Sequence, residues 1–288
     1  MVDYNALLTA KPEVWSARGD EWASVARHCT QCAADLYVGV RNLSSHWPDE
    51  AGALNTQELS SLADAYGAAG DTGKNVASTL HTLADAAGRA RTDLQSALDY
   101  AQANGLTVAA AGGGAKITGP QDKSWEISET DARINKAVAA ATTADQDAKG
   151  KLESFTSQVG STRPDPGEQS GTQPDVRIQA GAVNATGKQL VNLANDAQTA
   201  NSKLLAHSES GVYGGRSLST IEPINDNPDW ESLVALGFCA YRWRQHLDGL
   251  VGRLAAVGSG VTASSKNYDA ADQEAAALLN GVFTDMKK

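Results

Sequence analysis

Between residues 11 and 98 the chain carries two long stretches of apolar residues spaced three and four apart. They are broken once, at Trp47-Pro48-Asp49-Glu50-Ala51-Gly52. In the first stretch Trp15, Trp22, Val25, Cys29, Cys32, Leu36, Leu43 and Trp47 share one helical face. Pro12 suits a first turn, where its missing N–H is not needed, and Pro48 stops a helix at Trp47. The second stretch runs through Leu59, Leu62, Tyr66, Ala69, Val76, Leu80, Leu83, Ala87, Leu94 and Leu98, and Asn104-Gly105 is a helix stop. Two long helices joined by so short a turn lie antiparallel, so the chain opens with a helical hairpin.

Residues 106–118 change character. Leu106-Thr107-Val108 and Lys116-Ile117-Thr118 flank Gly112-Gly113-Gly114, which reads as a small β-hairpin or a flap. Those glycines lack the Lys-Ser/Thr ending of a phosphate loop. Helical periodicity resumes over 129–159, where Ile134, Val138, Ala141, Ala148, Leu152, Phe155 and Val159 keep a seven-residue rhythm that calls for a partner helix. Ser128 or Thr130 is the expected N-cap. Residues 160–175, rich in Gly, Pro, Ser and polar side chains, leave nothing to bury and read as a linker.

The expected organisation is therefore a helical-hairpin module with an extra helix over 1–159, and a second hairpin module over 176–288. In the second, a helix from Ile178 to Leu205 ends before Gly211. An irregular stretch, 208–229, contains Tyr213-Gly214-Gly215 and a Pro228-Asp229 start signal. The last helix carries Leu236, Trp243, Leu247, Leu250, Leu254, Val257, Val261 and Tyr268 on one stripe, with Asp272 one turn on. The fold class expected is all-α, long antiparallel hairpins forming an elongated four-helix-type bundle.

Composition agrees. Hydrophobic residues make up 41% but aromatics only 6%, so the core draws on Ala, Leu and Val, which let helices approach closely. With 24 basic against 34 acidic residues the net charge is −10, which repels phosphate backbones and argues against nucleic acid as a partner. No run of about 18 apolar residues occurs, so no membrane span is expected. Met1-Val2-Asp3-Tyr4 lacks the basic and apolar segments of a Sec signal peptide. Synthesis in the cytoplasm, with any export by another route, is the expectation.

Chemistry finds little purchase. Cys29 and Cys32 have CxxC spacing inside a helical stripe, which reads as core thiols, a redox or metal role being the alternative. His28, His46, His81, His207 and His246 are scattered singly, with no zinc-binding spacing. Asp145, Asp147 and Glu153 are read as solvated carboxylates on a helix surface. No catalytic residue, metal or cofactor is expected.

Trp47 in a turn between two long Ala-rich helices resembles the WXG superfamily, the helical hairpins of Gram-positive and actinobacterial type VII (ESX-type) secretion. That family places a Trp-x-Gly motif at the hairpin turn. Here the matching positions are Trp47, Pro48 and Asp49, and the nearest glycine is Gly52. Tyr268-Asp269-Ala270-Ala271-Asp272 is similar to the Tyr-x-x-x-Asp/Glu element of the family's export signal, and Tyr213-Gly214-Gly215 is similar to a degenerate turn motif. The resemblance implies a fused substrate/partner pair. Residues 1–159 look like the delivery domain of secreted effectors, and about 176–283 like the secretion partners that pair with them.

The function this implies is non-enzymatic: a secreted type VII substrate or partner. It would act through helix pairing, with Tyr268 and Asp272 as export signal and Trp47, Asp49, Gly52, Tyr213 and Gly215 at hairpin turns. Trp15, Trp22, Trp243, Leu247, Leu250 and Leu254 would form the interface with a helical protein or with the chain's own other half. The alternatives are a helical scaffold that is not exported, or the delivery part of a toxin.

Overall fold

The computed structural model describes residues 2–159, 178–209 and 230–285, with side chains described over 2–159, 178–202 and 230–271. The described residues are all-α with one small β-hairpin. The helices are α1 (Tyr4–Leu8), α2 (Pro12–His46), α3 (Glu50–Ala103), α4 (Ser124–Gln158), α5 (Ala180–Glu209) and α6 (Glu231–Asp285). The strands β1 (Thr107–Ala111) and β2 (Gly114–Thr118) sit between α3 and α4. The 160–175 linker, Tyr213, Gly215 and the Pro228-Asp229 signal lie outside the described residues.

Helix α3 ends as its sequence demands. Gly105 takes φ +71, a conformation closed to most side chains. From there Gly105 N–H reaches Gln102 O at 3.0 Å and Leu106 N–H reaches Ala101 O at 2.9 Å. Leu106 is then buried against the helix end, completing a Schellman motif. The β-hairpin turns on Gly112 and Gly113, both at positive φ, the signature of a two-residue hairpin loop.

Two expectations shift. α4 begins at Ser124, after a single 3₁₀ turn at Gln121–Lys123, so neither Ser128 nor Thr130 caps it. Thr130 is fully buried and its hydroxyl donates to Glu126 O at 2.7 Å, satisfied within the helix. The hairpin turn is shorter than the 47–52 segment, because α3 starts at Glu50. α1, too short to show a period, is set by Asp3, whose Oδ1 accepts the Ala6 N–H at 2.7 Å.

Two compact units result. The first takes residues 2–25, 72–159, 204–209 and 230–243; the second takes 26–71, 178–203 and 244–285. Each draws on both sides of residues 160–175. In the first unit α2 and α3 run antiparallel, with His81 against Ser16 and Arg91 donating to Ala10 O at 3.0 Å. α4 returns along α3, and the Arg133 guanidinium stacks 4.3 Å above the Tyr100 ring. The core joins Leu7, Trp15, Leu83, Leu94, Ile134, Ala141 and Trp230, with Val108 and Ile117 of the hairpin packed on its edge.

In the second unit Tyr37 donates to Asp64 at 2.5 Å, and Gly70 lies against Ala26 and Thr30. α5 runs antiparallel to α6, with Gly187 facing Thr262 and Gly258 and Val191 facing Gly258. Leu36, Leu59, Leu62, Leu190, Leu250 and Leu254 are buried here. On an α-helix such residues lie on one stripe, so their burial accounts for the three–four spacing seen in the sequence.

Candidate functional site

The turn between α2 and α3 is built around one carboxylate. Asp49 Oδ1 accepts the Gly52 N–H at 2.7 Å, and Asp49 O accepts the Ala53 N–H at 2.9 Å. Asp49 is therefore the N-cap of α3, relieving donors that a helix start leaves unpaired. Trp47 folds into the unit at 1% exposure, its N–H still held by Leu43 O at 2.8 Å. Position 52 admits only glycine: a Cβ there would fall 1.8 Å from Trp47 O and 2.8 Å from Trp47 Cγ. Trp47 packs on Gly52, in the first turn of α3.

The second oxygen of Asp49 faces α6. Tyr268 donates its hydroxyl to Asp49 Oδ2 at 2.9 Å, and its ring meets Trp47 edge-on, centroids 6.1 Å apart at 79°. The hydrogen bond to Asp49, with partial burial, raises the Tyr268 pKa above 10.0. At the same end of the unit Gln179 N–H donates to His46 O at 3.0 Å, taking up a carbonyl at the end of α2. Tyr268 is thus bonded to the hairpin turn. Asp272 lies on α6, but its side chain falls outside the described residues.

The tryptophans expected at an interface are paired inside the chain. Trp15 meets Trp230 with centroids 4.5 Å apart, and Trp22 meets Trp243 at 4.9 Å, all four buried. Each such pair contributes about 0.5–1.5 kcal/mol beyond its buried area. Leu247, Leu250 and Leu254 are buried within the second unit. Trp125 is the exposed tryptophan, at 67%, near the start of α4.

Asp145 is a correction. Read from sequence as a solvated carboxylate, it is 0% exposed in the first unit. Its Oδ2 accepts the Glu231 N–H at 2.9 Å, and its Oδ1 accepts the Ser232 N–H at 2.9 Å and the Ser232 hydroxyl at 2.5 Å. A residue in the middle of α4 therefore caps the start of α6, placing negative charge where the helix dipole is positive. Lys149, one turn on, pairs with Glu231 at 2.7 Å, a contact that lowers the Glu231 pKa and raises that of Lys149. The signal was in the rhythm already noted: 138, 145, 152 and 159 are seven apart, and 145 is the polar member of an otherwise apolar stripe.

Cys29, Cys32 and Cys239 are free and buried. Burial pushes the thiols of Cys29 and Cys32 up to about 12 and that of Cys239 up to about 11, far from the range of reactive thiolates. Among the described residues no group of three or more His, Cys, Asp or Glu could hold a metal ion, and no helix is long and apolar enough to cross a membrane. Comparison with protein-family models, with curated proteins and with solved structures returns no match.

Proposed function

We propose that the chain is a non-enzymatic substrate or partner protein of a type VII secretion system, made in the cytoplasm and exported without a Sec signal peptide. It works by helix pairing, and Tyr268 and Asp272 form the export signal read by the secretion machinery, with Tyr268 held on the hairpin turn of Trp47, Asp49 and Gly52. One observation carries the reading. Tyr268, in the element that resembles an export signal, donates to Asp49, in the element that resembles a hairpin-turn motif, across a sequence separation of 219. Two short motifs that recur by chance in isolation are in direct contact here. The Trp15–Trp230 and Trp22–Trp243 pairs support the fused-pair version, in which helices usually supplied by separate chains pair within one.

The test is export from the native host, comparing culture filtrate and cell pellet with and without the type VII machinery. Wild type is expected in the filtrate only when the machinery is present. Tyr268→Ala and Asp272→Ala are expected to remain in the pellet while keeping wild-type helicity by circular dichroism. Tyr268→Phe, which keeps the ring against Trp47, separates loss of the hydroxyl from loss of the patch. Machinery-independent behaviour of the wild type would sink the proposal.

A further inference from the structure

The β-hairpin is tied to its unit on one side. β2 packs against α1 and α4, Tyr4 N–H donates to Gly113 O at 3.2 Å, and Val108, Ala115 and Ile117 rest on the core. β1 pairs with β2, from Thr107 opposite Thr118 to Ala111 opposite Gly114, and among the described residues with no other strand. A two-residue loop at Gly112-Gly113 makes Ala111–Gly114 a hydrogen-bonded pair. Alternation then makes Ala109–Lys116 another, and leaves Val108–Ile117 and Ala110–Ala115 as non-bonded pairs. The N–H and C=O groups of Val108 and Ala110 consequently point away from β2, and no described group bonds to them.

An open edge of this kind is ordinarily guarded by lysine, proline or a bulge, because it templates the addition of another strand. The β1 sequence, Thr-Val-Ala-Ala-Ala, has no such guard, and every residue except Val108 is exposed. We infer that β1 is a self-association edge: two copies of the chain pair β1 to β1, antiparallel, about a two-fold axis at Ala109. This arrangement lets one patch serve both copies. The outward groups of Val108 meet those of Ala110 in the second copy, forming roughly four backbone hydrogen bonds.

The side chains fit the same axis. Val108 lies across from Ala110 and Thr107 across from Ala111, larger against smaller, while Ala109 faces itself. No charge stands on the seam, so nothing there repels a copy of a chain whose net charge is −10. So short a strand buries little area, which puts the pairing at the weak, concentration-dependent end of interfaces.

The pairing is tested by oxidation and by mass. Facing itself in a non-bonded pair, position 109 would bring two Cα atoms to about 4.5 Å, within disulfide range. The native cysteines are buried and do not compete. With diamide as the oxidant, Ala109→Cys should form a covalent dimer at least tenfold faster (roughly) than Thr118→Cys, which is exposed on the same face of β2. In sedimentation, the wild-type mass should rise from 30.0 kDa toward twice that with concentration. Ala110→Pro, which removes an outward N–H but no β1–β2 bond, and Ala109→Lys, which opposes two charges, should both hold it at 30.0 kDa with helicity unchanged. Equal oxidation rates for the two cysteine variants, a wild type monomeric at every concentration, or dimers surviving in both blocking variants would each overturn the inference.

Discussion

Asp49 and Asp145 do the same job in the two units by different means. Asp49 caps α3 locally, accepting from Gly52 three residues on. Asp145 caps α6 from the middle of another helix, accepting from Glu231 and Ser232 at separations of 86 and 87. The local cap needs only a Pro-Asp turn and forms with the helix it starts. The distant cap forms only once α4 and α6 have packed, so α6 depends at its first turn on tertiary structure. Exposure follows: Asp49 can also take Tyr268 at the surface, whereas Asp145 is sealed and all its bonds are internal.

The comparison breaks if the two aspartates prove equivalent. Asp145→Ala should be the most damaging change, about 3–4 kcal/mol, because it strands buried donors on Glu231 and Ser232. Urea unfolding measures it, and a loss no larger than that of Asp49→Ala would remove the distinction. Gly52→Ala should follow at about 2–3 kcal/mol, since its Cβ must displace the Trp47 carbonyl. Thermal melting, with near-ultraviolet circular dichroism to report the Trp47 environment, would register both effects.

Asp49→Ala should cost about 1.5–2 kcal/mol, because it removes both the N-cap and the acceptor of the Tyr268 hydroxyl, and Tyr268→Phe about 0.5–1 kcal/mol. The pH dependence sharpens the last case. A folded-state pKa raised above 10.0 means that the Tyr268 bond contributes fully below that pH and is lost as pH rises through the raised value. Wild type and Tyr268→Phe should therefore converge in stability as the solution is made more alkaline; a constant gap would show that the hydroxyl bond contributes nothing.

His246 gives a smaller effect of opposite sense. Burial, aided by the nearby positive charge of Arg253, lowers its pKa below 6.5. The folded state therefore favours the neutral ring, and stability is retained above pH 6.5 and falls as pH drops through the lowered value. His246→Gln should flatten the stability profile just below pH 6.5, and an unchanged slope there would contradict the assignment.

The order and type of the long elements were legible because their causes are local. Spacing of three and four, Pro12 and Pro48 at helix ends, Asn104-Gly105 as a stop and paired glycines in a hairpin act within a few residues. The turn at Trp47 and Asp49 was legible for the same reason. Asp145 was harder, though its heptad position marked it: a lone carboxylate in an apolar stripe reads as surface until the start of another helix is set against it. What only the tertiary structure decided were pairings between distant residues: Trp15 with Trp230, Trp22 with Trp243, Tyr268 with Asp49, and α6 with the carboxylate that starts it. Periodicity says that a helix has a face to bury; which helix buries it depends on complementary shape and unpaired donors, which exist only once the chain has packed.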